Sequence, residues 1–562
     1  MIKKNNSFYN DKKTSKKYLL KDGLIVDVVN KKILNEDLYI KNKIIEKIGK
    51  NLLQFVDKDT EIIDCKNLYI TPGFIDMRVN ISEPGHEHKE TIKSASMSAA
   101  SGGITSMICM PNTIPPIDQP AIIHSIQRKA REIALSKIFC TGCITRNFKG
   151  EEICELHLMK ESGAVGFTDG IKSIENARVM RRALNYAKSF NGLVIQHAEE
   201  HNLSYNGVVN ESEIATRMGL KGIPSYAEPM IVERDLWLVK ETNCRYHVNH
   251  ISTKETVEII RKAKKAGLPV TCDTSPPYFI LNELSLEEYR TFSKLNPPLR
   301  SEEDRMSIIE GICDGTIDAI SSDHTPQDQD AKRLPFNQAE FGGVGLETLL
   351  PLTLSLVKNK YMNIEEVLKL ITINPAKILN LDIGTVNEKS EADMQILTIP
   401  GVRHRSVTDH AVESCEDKND VLYVGDVEIY DELAQYVTAS TQDPHVPQII
   451  KKFDFLEDAC MNNDEVKRLH EEWRENGHDM GAMEGSKQFM TGVGGSVKDV
   501  RKAFEAQGLD KSPMLLPYFQ LRMTAASNAR ASGFMKYGVF MPPAKDAKSA
   551  SFTQGASKGL FD

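Results

Sequence analysis

From about Phe74 to Leu379, short apolar, β-rich runs alternate with stretches of helical period. Eight runs read as strands: 74–79, 104–109, 138–143, 164–168, 193–197, 245–250, 268–272 and 316–322. Helical stretches follow most of them. Lys89–Ser101 stops at Gly102-Gly103, and Glu175–Phe190 stops at Asn191-Gly192. Ala121–Lys137 carries Ile122, Ile123, Ile126 and Ala130 on one face. Such alternation argues for a parallel sheet wrapped by helices. Eight units predict a closed (β/α)8 TIM barrel, an α/β fold, with an open doubly wound sheet as the competing arrangement.

Four of the runs end in a side chain able to hold a metal: Asp169, His197, His250 and Asp323. Barrel enzymes build their sites at the C-terminal ends of the strands. Two imidazoles and two carboxylates match the ligand set of hydrolytic zinc. One strand-end histidine alone is more often a hydrogen-bonded structural residue. His247 competes with His250, because in a regular strand the two face opposite sides and only one reaches the site.

The flanks differ from this middle. Tyr18–Asp22, Leu24–Val29, Asp37–Ile40, Ile44–Ile48 and Glu61–Asp64 read as short strands, with Asp22-Gly23 as a turn between the first two. They predict a small β-subdomain over 18–70. The segment 380–400 can return a strand to it, leaving 71–379 for the barrel. Residues 1–17, rich in Lys, Asn and Ser, read as a disordered lead without the apolar stretch of a secretory signal. Residues 401–562 read as a mostly helical, Met-rich C-terminal region with no chemistry of its own. His470 and His478, beside Glu471, Glu472 and Asp479, are read as exposed polar residues of helix faces rather than a metal site.

Composition narrows the function. A formal charge of −8 over 562 residues gives no reason to expect nucleic acid or a membrane surface as partner. No run approaches the ~18 apolar residues of a membrane span. The 10 cysteines show no framework spacing, which predicts a reducing, cytoplasmic setting. Cys140 and Cys143 form a CxxC without a second pair, read as two buried structural thiols.

Longer motifs carry a resemblance. They are Pro72-Gly73-Phe74-Ile75-Asp76-Met77, the stretch from Glu83 to Thr91, Ala99 to Thr105, and Cys109-Met110-Pro111-Asn112-Thr113. Further on come Asn296-Pro297-Pro298-Leu299-Arg300, Ser322-Asp323-His324-Thr325-Pro326, Gly345-Leu346-Glu347-Thr348 and Asn374-Pro375-Ala376. In this order, over roughly residues 20 to 397, the chain resembles dihydroorotase, of the cyclic amidohydrolases. The resemblance implies reversible opening of dihydroorotate to carbamoyl aspartate in pyrimidine biosynthesis, a metal-bound hydroxide attacking the ring carbonyl. It makes Asp323 the catalytic proton acceptor and Asp169, His197, His250 and Asp323 the metal set. His250 is preferred over His247 because it stands directly before Ile251-Ser252-Thr253. Asn112 and Asn296 become substrate contacts.

The chain also departs from the family pattern. Where the family has His-x-His and then an Arg that grips the substrate carboxylate, it has Arg78, Asn80 and Ser82. Arginine is permanently protonated and offers no lone pair to zinc. Gln327 and Gly170 replace a second His and a second Asp. One zinc ion on Asp169, His197 and His250, or none, is then expected, with His86 and His88 as weaker stand-in ligands. With no metal, Arg78 would sit between Asp169 and Asp323 as a buried ion pair. The two functional expectations are a dihydroorotase-like hydrolase, which is preferred, and a non-catalytic scaffold of the kind that partners aspartate transcarbamoylase. A homo-oligomer is expected in either case.

Overall fold

The computed structural model describes residues 17–397 and 405–406. The readings made above for the lead and for the rest of 401–562 lie outside the described residues. Eight parallel strands form one sheet in the order of the chain: Phe74–Val79, Ile104–Cys109, Lys137–Gly142, Ala164–Phe167, Leu193–His197, Arg245–Asn249, Val270–Thr274 and Ala319–Ile320. The sheet curls until its ends meet. Val79 bridges His324 in parallel, and Asn80 N donates to His324 O at 2.8 Å. This is the TIM barrel the alternation predicts, with helices outside.

Side-chain alternation divides the interior from the helical shell. Ile75, Met77, Ile108, Leu193, Ile195 and Ala319 pack inside the barrel, where Ile378 and Leu379 join them. Phe74, Met107, Val194 and Val248 face outward against helix residues such as Ile123, Val179 and Val232. Burying one such side chain contributes about 1.5–3 kcal/mol. Capping fixes where the helices begin. Thr91 and Ser301 form capping boxes, Thr253 caps Lys254–Lys265, and Pro120 occupies the first turn of Pro120–Ile133.

A second sheet draws on both flanks. Lys17–Asp27 pairs with Lys32–Lys41, Thr60–Asp64 and Tyr69–Pro72, and Met394–Leu397 runs antiparallel to Tyr69–Pro72. Leu20, Ile25, Leu38, Ile45 and Ile70 form its core. The expected turn at Asp22-Gly23 is absent. Lys17–Asp27 is one strand, and the register shifts between Leu20 and Gly23 as a bulge. Asp22 takes φ +56°, and a Cβ on Gly23 would stand 2.4 Å from the Ile70 side chain. Left-handed backbone and close approach, read in sequence as a turn, also make a bulge. Among the described residues no helix is long and apolar enough to cross a membrane.

Candidate functional site

The four strand-end groups do not all share one set of contacts. Three are joined. Arg78, at the end of barrel strand one, donates from Nε to Asp323 Oδ1 at 2.6 Å. The other oxygen of Asp323 stands 3.1 Å from His250 Nδ1, and His250 Nε2 stands 2.8 Å from His197 Nδ1. The four side chains thus form a chain of contacts across the mouth, and Arg78, His197 and His250 are almost wholly buried. His250 and Asp323 both have positive φ, +37° and +53°. Each stands just past its strand, in a conformation non-glycine residues seldom adopt. Backbone strain of this kind gathers at functional sites.

The Asp323 carboxylate fixes one proton of this chain of contacts. A carboxylate only accepts, so His250 Nδ1 carries the proton. The 2.8 Å contact between His250 Nε2 and His197 Nδ1 shares one proton, and His197 Nε2 stands 3.9 Å from Glu199 Oε2. This imidazole nitrogen is buried and has no hydrogen-bond partner among the described residues. Burial, followed by the charges of His250 and Arg78, pushes the His197 imidazole well below its ordinary range, which keeps it neutral. Burial pushes Asp323 the other way, yet His250 and the Arg78 guanidinium hold it down at about 2.

Asp169 is engaged elsewhere. Its Oδ1 accepts from Ile144 N and Thr145 N, both at 2.9 Å, and its Oδ2 accepts from the Thr145 hydroxyl. The predicted placement of Arg78 between Asp169 and Asp323 is therefore half met, because its ion pair is with Asp323. Asn112 lies against Gly170, where a Cβ would come within 1.9 Å of Asn112 Oδ1 at φ +69°. Asn296 lines a cavity of about 1150 Å³ together with Asp169, Glu199, Lys294 and Phe341. Asn112 Oδ1 and Asn296 Oδ1 are both buried without a partner among the described residues.

These observations test a metal. Both oxygens of Asp169 and both of Asp323 are in use, and two of the four imidazole nitrogens face each other at hydrogen-bonding distance. A fixed guanidinium charge stands beside them. Among the described residues no group of three or more His, Cys, Asp or Glu could hold an ion. As arranged, this donor set does not fit the zinc centre expected from the strand ends. His86 and His88 supply nothing to it. They sit edge to face with each other, and exposed His88 approaches Asp328. His247 bonds Thr271 Oγ1 through Nδ1, away from the mouth chain.

Sequence reasoning missed the supports. Asp273 accepts from His250 N. Glu228 gathers Ser252 N and Oγ and Thr253 N and Oγ1 around its buried carboxylate, at 2.5–3.2 Å. Glu90 Oε2 stands 3.2 Å from His324 Nε2, and Gly345 N donates to His324 Nδ1. The Ser-Thr pair after His250 was the available signal, as a site of local donors asking for a carboxylate.

Comparison with known proteins is consistent with this geometry. A family profile described as "Dihydro-orotase-like" matches residues 68–256. A dihydroorotase of Geotalea daltonii is 44% identical over 378 residues, covering 67% of this chain and 88% of that protein. The chain belongs to the dihydroorotase family. A dihydroorotase of Anaplasma phagocytophilum is 42% identical over 361 residues, covering 64% of this chain and 80% of that protein. Among solved structures, an L-hydantoinase of Arthrobacter aurescens superposes with a TM-score of 0.60 at 25% identity, covering 68% of this chain and 86% of that one. These likenesses support a cyclic amide hydrolase role in pyrimidine metabolism for this dihydroorotase-family chain.

Proposed function

We propose that the chain interconverts dihydroorotate and carbamoyl aspartate, a hydrolysis of a cyclic amide C–N bond. The observation that carries this reading is two buried acceptors without partners among the described residues of a dihydroorotase-family barrel: Asn296 Oδ1, of a residue lining the large cavity with Asp169, and Asn112 Oδ1, which lies against Gly170 next to Asp169. Buried polar atoms are ordinarily paired, so two such acceptors suit a ligand that brings N–H donors. A cyclic amide brings them. Asp323, ionised and in contact with His250, is the proton acceptor in this reading. The metal-activated water implied by the resemblance is not carried over, because the donors do not converge.

A second reading is favoured by the Arg78–Asp323 contact. A buried guanidinium–carboxylate pair balances charge without chemistry, as in a non-catalytic scaffold beside aspartate transcarbamoylase. One assay separates the two. The hydrolase reading expects turnover of dihydroorotate by the purified protein, abolished in Asp323→Ala. No turnover in either direction, with co-purification of a transcarbamoylase, would select the scaffold.

A further inference from the structure

Among Asp169, His197, His250 and Asp323, all potential ligand atoms but one can be followed to a use. Asp323 Oδ1 meets Arg78 Nε and Oδ2 meets His250 Nδ1. Asp169 Oδ1 takes two backbone N–H groups and Oδ2 the Thr145 hydroxyl. His250 Nε2 and His197 Nδ1 are joined. Two buried atoms on this chain of contacts have no hydrogen-bond partner among the described residues, the donor Arg78 Nη1 and the imidazole nitrogen His197 Nε2, which stands 3.9 Å from Glu199 Oε2. One unpartnered imidazole nitrogen does not hold a metal ion, and the Arg78 guanidinium already balances the Asp323 carboxylate that a dication would need.

We infer that the Arg78 guanidinium is the resident cation of this mouth, in the place the family resemblance gives to the first metal. The site then takes a cyclic amide without any metal, Arg78 Nη1 donating to a ring carbonyl and His197 Nε2 accepting from a ring N–H. The substrate class rests on the function proposed above, whereas the resident cation does not. A carbonyl flanked by an N–H offers both an acceptor, for the Arg78 donor, and a donor, for His197 Nε2 in the tautomer that leaves it unprotonated.

Zinc content of the full-length protein, dialysed with and without EDTA, and calorimetric titration with dihydroorotate test the inference. Well under one zinc per chain and dihydroorotate binding indifferent to EDTA are expected. Arg78→Lys keeps a cation for Asp323 but loses the second donor, so it should fold and bind dihydroorotate about tenfold more weakly. Arg78→His/Asn80→His, which removes the guanidinium and adds two imidazoles, should gain bound zinc. About one zinc per wild-type chain, or binding abolished by EDTA, overturns the inference, whereas zinc-free protein that binds no dihydroorotate before or after EDTA overturns the substrate class alone. Metal-free binding without turnover would sink the hydrolase reading and leave the resident cation standing. Turnover dependent on bound zinc would do the reverse.

Discussion

Arg78 and Asp323 bury opposite charges against each other at the seam where barrel strands one and eight meet. Such a pair is worth little as a whole, but removing one member strands the other. Arg78→Met should therefore lose about 3–5 kcal/mol of stability. Arg78→Met/Asp323→Leu should recover most of it, because neither charge is then left alone. Equilibrium unfolding in urea reads both, and a single variant as stable as the wild type would refute the argument. Proton linkage gives a second check. Asp323 is held at about 2 in the fold against ~3.9 in an unfolded chain. Its contribution, on the order of 2 kcal/mol, is complete above pH ~4 and disappears as pH falls toward 2. Asp76 has the opposite sign, since burial raises it to about 6. It favours the folded state most below pH ~4, and that advantage is gone once pH has risen through about 6. Stability measured from pH 7 to 2 should therefore have a shallower low-pH slope in Asp323→Asn and a shallower slope between about 4 and 6 in Asp76→Asn, where Asp235, also raised to about 6, keeps the remainder.

At the scale of elements, the turn after barrel strand six decides where His250 points. Its main elements are a carboxylate from the helix Ala227–Thr242 and the Ser252-Thr253 pair that begins the next helix. Glu228→Ala would leave several buried donors unsatisfied at 1–3 kcal/mol each, partly relieved by water, so a loss of about 3 kcal/mol is expected. Thermal unfolding reads the loss. A broadened His250 side-chain NMR signal would show that the ring is no longer held. A variant with wild-type stability and an unmoved His250 signal would mean that Asp273, which also accepts from His250 N, suffices alone. This cage illustrates where the sequence stopped being readable. The strand ends were legible because apolar runs of strand length stop abruptly at Asp169, His197, His250 and Asp323. Contacts between residues far apart in the chain, such as Glu228 with Ser252 or Thr145 with Asp169, leave no periodic trace. Positive φ at His250 and Asp323 is equally silent, because neither residue is a glycine. Asp22-Gly23 shows the converse, where a local signal for left-handed backbone was plain but suited a bulge as well as a turn.

The barrel as a whole was legible because its periodicity repeats through eight units, so an error in one strand boundary leaves the architecture unchanged. Barrel strand eight makes the point: the run 316–322 contributes only Ala319–Ile320 as paired strand, yet the barrel closes through His324. The barrel interior, the helical shell and the flanking sheet draw their described core residues from Tyr18 to Leu397. A protein ending after Ser406 keeps all the described core clusters and the pairing of Met394–Leu397 with Arg405–Ser406. It should melt within about 4 °C of the full-length chain, the shift that ~1 kcal/mol produces in a domain of moderate size. Its dihydroorotate affinity should match as well, because every residue assigned to the mouth lies between Arg78 and Asp323. Calorimetry on the two lengths decides the matter. A truncated chain that aggregates, or melts far lower, would mean that residues after 406 bury part of this core. Loss of binding at unchanged stability would place part of the ligand site there.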